Sequence, residues 1–319
     1  MTDSRDLERG LKCAVLTTDF QGRLARHHSG KVRDIFVVDE HRLLFVTSDR
    51  ISVFDRVVGS VPFKGQVLSG VSNWWMERVT DIVAHHLLSV PHANCVIARR
   101  CRPLPIEVIV RGYLTGASPT SIWTAYERGE RTYCGHVLPE GMTRHQELPV
   151  PLVTPTTKGE LGAHDELISR REIIKQGLVD EVLYDRIEAI ALALFNRGRE
   201  RAAQSGLLLA DTKYEFGVDA EGDLVLIDEI HTPDSSRYWF AEDYASRVAS
   251  GGEPRGLDKD YVRNYMKSLG YFGDGTPPEL PDEVRLEAAR RYISLYELLT
   301  GQPFVPDFSN LVESVLGAL

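Results

Sequence analysis

An α+β fold in two lobes is what this sequence predicts, and three observations carry the prediction. Strand-like apolar runs crowd the first third of the chain. Helical periodicity dominates beyond residue 179, and a Gly-, Thr- and Pro-rich stretch over 112–165 lies between the two. Strands first and helices later place an amino-terminal β-rich lobe at 1–105 and a larger mixed lobe at 106–319. A chain of 319 residues, 43% apolar and 26% charged, has the length and composition to bury such a core.

The elements follow in order. Residues 34–38 and 43–47 are apolar runs joined by the turn Asp39-Glu40-His41, which reads as a hairpin. A helix is expected over 65–83, with Val67, Val71, Trp74 and Arg78 on one face, Leu68 and Trp75 beside them, and both tryptophans in the core. Residues 96–111 read as two strands interrupted at Arg102-Pro103-Leu104-Pro105, because proline cannot donate within a central ladder. The middle stretch contains one helix near 118–128 and is otherwise irregular, a length of loop that suits a functional segment. A helix over 179–204 carries Val182, Leu183, Ile187, Ile190 and Leu194 on its apolar stripe, with Gly206 just beyond. Two helices, near 259–269 and 283–299, close the chain, the second stopped by Gly301.

Charge and cysteine content exclude some classes. A net charge of −9 argues against a general nucleic-acid or anionic-membrane binder, and any anion site must gather its Lys and Arg locally. Cys13, Cys95, Cys101 and Cys134 are scattered without metal-ligand spacing, as expected of thiols in a reducing compartment. The amino terminus is polar, and no run approaches the ~20 apolar residues of a membrane span. A cytoplasmic protein with small-molecule partners, without nucleic acid or membrane, is the expectation; monomer and homo-oligomer both stay open.

The chemistry concentrates in four stretches. In 207–217, Asp211, Lys213 and Glu215 alternate, so on a strand they share one face while Thr212, Tyr214 and Phe216 share the other. If 219–222 form the hairpin loop, Val218 faces Asp223 and Lys213 lies opposite Asp228. Two carboxylates beside a lysine suit Mg-nucleotide, since carboxylate oxygens hold the ion while the ammonium neutralises phosphate charge. A plain surface Lys–Glu ladder has the same spacing. The second stretch, Ser29-Gly30-Lys31-Val32-Arg33-Asp34, could let backbone and two cations approach an anion, although it is no Walker A loop. The third, 108–118, sends Arg111 from an apolar strand into a Gly/Thr/Ser loop. The fourth is His231-Thr232-Pro233-Asp234-Ser235-Ser236-Arg237, directly after the Asp228 strand.

Several motifs then occur in a fixed order. They are G-K-V-R-D from Gly30, S-D-R-I-S-V-F-D over 48–55, P-F-K-G over 62–65 and V-R-G-Y-L-T-G from Val110. T-P-T-T-K over 154–158, A-H-D-E over 163–166, D-T-K-Y-E-F-G from Asp211 and D-E-I-H-T-P-D-S-S-R from Asp228 complete the series. From about residue 28 to residue 240 the chain resembles the phosphoribosylaminoimidazole-succinocarboxamide synthase (SAICAR synthetase) family of purine biosynthesis. The resemblance implies a kinase-like antiparallel β lobe over a larger mixed α/β lobe related to ATP-grasp ligases. It implies a ligase that joins L-aspartate to the carboxylate of carboxyaminoimidazole ribonucleotide (CAIR), with ATP as co-substrate, Mg²⁺, and a carboxyl phosphate on the way.

Site residues are implied the same way. Gly30, Lys31 and Arg33 match the loop over ATP, Arg102, Leu104 and Glu107 the segment against adenine, and Lys213 a phosphate-facing lysine. Glu215 and Asp228 match the Mg²⁺ carboxylates and, with Lys213, the catalytic set. Arg111, Ser118 and Arg237, with Asp234 and Ser236 beside them, resemble the groups on the ribonucleotide phosphate. Lys158, His164 and Asp165 match a substrate-side loop. One departure stands out: many members have serine directly after L-T-G, where this chain has Ala117. Either the loop shifts by one residue to Ser118 or the hydroxyl is lost. The rival readings are a small-molecule kinase with a similar ATP lobe, although the H-R-D and D-F-G signatures are absent, and a non-catalytic nucleotide-binding module.

Overall fold

The computed structural model describes residues 3–158, 166–257 and 260–319. Helix α1 (Ser4–Lys12) precedes strands β1 (Ala25–Ser29), β2 (Arg33–Val37), β3 (Arg42–Thr47), β4 (Arg50–Val53) and β5 (Arg56–Ser60). Helix α2 (Lys64–Met76) follows, then β6 (Ala84–His85), β7 (Leu87–His92), β8 (Cys95–Arg99) and β9 (Arg102–Tyr113). The middle holds α3 (Ile122–Glu127), β10 (Thr132–Tyr133), β11 (His136–Val137), β12 (Glu147–Val153), β13 (Thr156–Thr157) and α4 (Arg170–Lys175). Then come α5 (Glu181–Gln204), β14 (Leu207–Val218), β15 (Leu224–Ile227), β16 (Ser236–Phe240) and helices α6 (Ala241–Ala249), α7 (Asp260–Ser268), α8 (Asp282–Thr300) and α9 (Leu311–Ala318).

Two sheets organise the molecule. The first runs β1-β2-β3-β8-β7 and is built entirely from residues before Arg100. The second runs β12-β9-β14-β15-β6, with β13 also on β9 and β16 also on β14. Apart from the parallel β15–β6 pair, its neighbours are antiparallel. Helix α5 lies on β14 and β9, and α2 packs on α8. The main core, which includes Leu7, Trp75, Ile106, Tyr214 and Leu299, joins the second sheet to the helices, while Phe36, Leu44, Val46 and Ile97 of the first sheet pack in a smaller core of their own. The mixed α+β architecture expected from the element order is what forms.

Several expectations need correction. Strand β9 runs unbroken through Pro103 and Pro105. The ladder slips there, Glu215 facing Glu107 and Gly217 facing Pro103, so the missing proline donors fall at an irregularity. The stretch 112–165 is less irregular than expected: β12 is an edge strand that tolerates Pro149 and Pro151, and Leu114, Ile122, Tyr126 and Leu148 form a core of their own. Helix α3 starts only at Ile122, where Ser121 caps it by accepting from the Thr124 N–H at 3.3 Å. Helix α2 stops at Met76, ahead of Val79-Thr80-Asp81-Ile82-Val83, in which all but Asp81 are β-branched. Trp75 is buried as expected, whereas Trp74 is half-buried with the Arg78 guanidinium 4.1 Å over its ring. Val182 is 80% exposed and does not belong to the α5 stripe. Helix α8 is not the last: α9 returns to the first sheet, where Val315 packs with Leu44, Val46 and Ile97.

The β14–β15 register also differs. Val218 pairs with Leu224 rather than Asp223, because Asp219 N–H donates to the Asp223 carbonyl at 3.1 Å and closes a longer loop. Glu215 therefore faces Ile227, and Lys213 is not directly opposite Asp228.

Candidate active site: a cleft between the two sheets

A cleft of about 570 Å³ lies between the first sheet and the β14–β15 hairpin. Ile35, Leu43 and Phe45 form one apolar wall and Val218 and Ile227 the other. The connection carrying Arg102 and Pro103 lines the same cleft, and Lys158, Glu215 and Asp228 make its polar end. Apolar walls of this kind accommodate a planar ring, and charged groups at one end fix an attached polyanion.

The polar end is built by the sheet. Along β14, Asp211, Lys213 and Glu215 are half-buried toward the site while Thr212, Tyr214 and Phe216 are buried in the opposite direction, the alternation that the sequence predicts. Lys213 Nζ donates to Glu107 Oε1 at 2.8 Å, contacts Glu215 and lies 4.0 Å from Asp228 Oδ2. Glu107 faces Glu215 directly across β9–β14, a like-charge pair that would repel without the ammonium between them. Lys158 pairs with Glu215, while Arg33 pairs with Asp228 and, through Nη2, with Glu229 Oε2 at 2.7 Å.

Burial alone would lower the Lys213 ammonium, but Glu215, Asp228 and Glu107 hold it well above the ordinary lysine value. Burial and the neighbouring Asp228 would raise the Glu215 carboxyl, and Lys213 and Lys158 bring it below its usual value. For Asp228, burial is likewise overcome by Arg33 and Lys213, giving about 2. All of these groups are charged at neutral pH. His86, which the sequence did not single out, lines the cleft with its ring 5.3 Å from that of Phe45. Burial pulls it down to about 4, so it is neutral there.

Asp228 reaches the cluster by an unexpected route. In the observed register an extended continuation of β15 would point it away from Lys213, since a one-residue slip exchanges faces. Its backbone is left-handed instead, φ 64°, and the carboxylate turns back to the cleft. The glycine turn is held by another residue the sequence did not flag. Gly30 N–H donates to the Arg33 carbonyl at 2.7 Å, and Arg50 donates to the carbonyls of Gly30 and Lys31 at 3.0 and 3.1 Å. Lys31 pairs with Asp55 and is half exposed, so Lys31 and Arg33 do not converge on one point.

The other predicted residues divide into groups. Arg102 lines the cleft, the Leu104 side chain is buried in the main core, and Glu107 sits in the charged cluster beside Lys213. Arg111, Asp211 and Arg237 form a row across β9, β14 and β16 in direct register. Asp211 Oδ2 lies 2.8 Å from Arg237 Nη1 and 3.5 Å from Arg111 Nη1, and Arg111 Nε donates to Thr154 Oγ1 at 2.9 Å. Asp234 is half-buried, accepting from Lys64 Nζ and from the Tyr292 hydroxyl, each at 2.7 Å. Ser236 is buried with its hydroxyl 2.7 Å from that of Thr212. Both anchor the loop that ends in Arg237. Ser118 is exposed, its hydroxyl 3.4 Å from that of Thr120, while Ala117 lines a recess together with Arg237. The loop has therefore not shifted to bring Ser118 in. His164 and Asp165 lie outside the described residues.

Among the described residues no group of three His, Cys, Asp or Glu could hold a metal alone. Glu215 and Asp228 nonetheless fit Mg²⁺, which binds through one or two carboxylates and completes its shell with phosphate oxygens and water. Their mutual repulsion, offset by three surrounding cations, is the electrostatic situation that such an ion relieves.

An apolar slot that ends in paired carboxylates, lysines and arginine defines an enzyme that works on phosphorylated, nucleotide-type substrates. The family model for SAICAR synthetase matches residues 26–278. The phosphoribosylaminoimidazole-succinocarboxamide synthase of Legionella pneumophila (strain Paris) is 46% identical over 283 residues, 88% of this chain and 90% of that protein. That of Bacteroides fragilis (strain YCH46) is 44% identical over 308 residues, 95% of this chain and 96% of its own length. A solved SAICAR synthase from Saccharomyces cerevisiae, complexed with SAICAR, superposes with a TM-score of 0.80 at 31% identity, covering 91% of this chain and 99% of that one. The chain belongs to the SAICAR synthetase family.

Proposed function

We infer that this protein is an ATP-dependent carboxylate–amine ligase that joins L-aspartate to CAIR, giving SAICAR, ADP and phosphate in purine biosynthesis. The observation that carries this reading is the Lys213, Glu215 and Asp228 cluster at the polar end of the cleft, in a chain of this family. Adenine occupies the apolar slot, against the strand that carries Arg102 and Leu104, and the triphosphate extends toward Arg33 and Lys213. Glu215 and Asp228 would hold Mg²⁺, which would neutralise charge on the phosphates.

A carboxylate is a poor acyl donor, so the carboxylate oxygen of CAIR first takes the γ-phosphoryl group, releasing ADP. The aspartate amine then attacks the acyl carbon, phosphate leaves with its oxygen, and the amine proton passes to solvent. The charged Lys213 offsets negative charge gathering on the transferred group. Arg111 and Arg237, aligned by Asp211, hold the ribonucleotide phosphate. Asp234 and Ser236 keep the Arg237 loop in place. Lys158, with His164 and Asp165, serves the substrate side.

The ATP lobe at 1–105 and the substrate lobe at 106–319 form our working division, supported by a first sheet that closes before residue 100. A cytoplasmic setting, supported by four free thiols, and small-molecule partners alone complete the reading. The test is a coupled ADP assay in which ATP, CAIR and L-aspartate are varied one at a time. ADP must form only with all three present, and no ADP above background with all three would sink the assignment.

A further inference from the structure

A cavity of about 120 Å³ lies where α1 and the segment leading into α9 meet one end of the first sheet. It has room for several waters or for one small organic molecule. Arg9, Asp49, Gln66, His92, Asn94 and Asp307 are among its polar lining residues, and none of them lines the cleft or the recess beside Arg237. Some of these groups are satisfied within the protein. Gln66 Nε2 donates to the Asp307 carbonyl at 2.8 Å, and its Oε1 accepts from the Asp307 N–H at 2.9 Å. His92 Nδ1 accepts from the Asn94 N–H at 3.0 Å.

Three groups are not. Asn94 is fully buried, and its Nδ2 donates to the Thr47 carbonyl at 2.8 Å while its Oδ1 has no partner. A buried acceptor left unmet is costly, so this oxygen calls for an N–H or O–H donor. Asp49 is 4% exposed, and its carboxylate accepts from the Val15 and Gly65 N–H groups at 2.7 and 2.8 Å. Among the described residues no side-chain cation bonds it, since Lys64, the cation that acts on it, is paired with Asp234. Burial pushes its carboxyl up to about 6, as happens to a buried charge short of a counter-ion. Arg9 stands exposed at the edge of the cavity with its guanidinium 3.7 Å over the Phe308 ring, and among the described residues it has no carboxylate partner. The cavity therefore offers acceptors and a negative charge at its buried end and a cation at its open end.

We propose that this cavity binds a small zwitterionic α-amino acid, with its ammonium donating to Asp49 and to Asn94 Oδ1 and its carboxylate meeting the Arg9 guanidinium. An ammonium carries three N–H donors, enough for both acceptors, and supplies the counter-charge that Asp49 lacks. A simple amine would leave Arg9 without an anion, and a simple acid would bring a second negative charge toward Asp49. The volume suits glycine or alanine. Arg50, next in sequence to Asp49, donates to the Gly30 and Lys31 carbonyls, so an occupant lies one residue from the support of the glycine turn. The site shares no lining residue with the cleft and does not rest on the ligase reading.

Glycine is the probe, titrated calorimetrically into the full-length protein, with methylamine, acetate and glycine betaine as analogues. Glycine should bind, and methylamine and acetate, each lacking one charge, should bind about tenfold more weakly or worse. Betaine keeps both charges but has no N–H to donate, and it should not bind. Arg9→Gln, on the exposed side, should weaken glycine about tenfold, the effect of losing one charge-assisted hydrogen bond. Asp49→Asn should abolish binding, and if that buried substitution prevents folding, Arg9→Gln and the analogue series still decide the matter. No glycine binding up to about 10 mM, equal affinity for betaine, or unchanged affinity in Arg9→Gln would overturn the proposal and leave the cavity to water. The titration needs no turnover, so a protein that makes no ADP would defeat the ligase reading and still leave this site tested.

Discussion

Asp228 owes its place in the cleft to one backbone angle. Its left-handed φ of 64° costs roughly 1 kcal/mol for a residue with a Cβ, and Asp and Asn bear that cost better than other side chains. Asp228→Asn is therefore the clean probe of the carboxylate, since it keeps the turn and removes only the charge. It should lower kcat about a hundredfold or more at saturating substrate, the scale seen for lost electrostatic stabilisation of a transition state, and weaken the dependence on Mg²⁺. Steady-state rates across a Mg²⁺ titration check this, with a urea melt showing that the fold persists. A kcat within twofold of the parent would remove Asp228 from the chemistry. Lys213 is the residue the sequence read most directly. Its alternation with Asp211 and Glu215 fixed the face, and face is all that a strand needs to bring side chains together.

The element that sets the site's depth is β14 with α5 behind it. Tyr214 points away from the cleft, and its hydroxyl lies 2.9 Å from His231 Nε2. His231 is stacked on Trp75 with ring centroids 4.6 Å apart. Helix α5 reaches this point only because Gly198 has no side chain: a Cβ there would sit 2.1 Å from His231 Cε1 and 2.8 Å from a methyl of Leu209. Alanine is the better helix former by about 1 kcal/mol, but overpacking costs roughly 1–3 kcal/mol, so the clash decides. Gly198→Ala should destabilise the protein in urea despite its higher propensity.

The same pocket gives a pH dependence. Burial pulls His231 from 6.5 to about 3, so between those values the unfolded chain binds a proton that the folded chain refuses. Its contribution is complete above about 6.5 and declines as pH falls toward 3, and His86, held near 4, adds to the trend. Urea midpoints should drop steadily from pH 7 to pH 4. A flat profile that stays flat in Tyr214→Phe would argue that neither histidine is excluded from protonation.

At the scale of the whole molecule, the cleft is bounded by the first sheet on one side and a hairpin of the second on the other. A ligand bridging them stabilises the folded state by mass action, about 2.7 kcal/mol at a hundredfold excess over Kd. Mg²⁺ with ATP should raise the melting temperature of the parent protein. In Glu215→Gln the rise should be much smaller, and an equal rise in both would show that the nucleotide binds without this carboxylate. Helix α9, which returns from the far end of the chain to the first sheet, makes that sheet dependent on the carboxy terminus as well.

The order of strands and helices, the β14 face carrying Lys213 and Glu215, the Gly206 and Gly301 turns and the motif series are all local properties, and the sequence by itself determined them. Alternation and turn chemistry act over a few residues, so a reader of the chain sees them directly. The β15 register, the single strand through Pro103 and Pro105, the return of α9 and the shared row of Arg111, Asp211 and Arg237 were decided only in the tertiary structure. Each depends on a partner far away in the chain: a loop closed by Asp219 and Asp223, a neighbouring strand that leaves proline unpaired, an apolar sheet face, or two strands flanking Asp211. The cationic recess beside Arg237 is the extreme case. Arg237 stands in a motif, but Arg263 and Arg291 have unremarkable neighbours in sequence, and only the packing of α7 and α8 beside the Arg237 loop brings the three charges into one place.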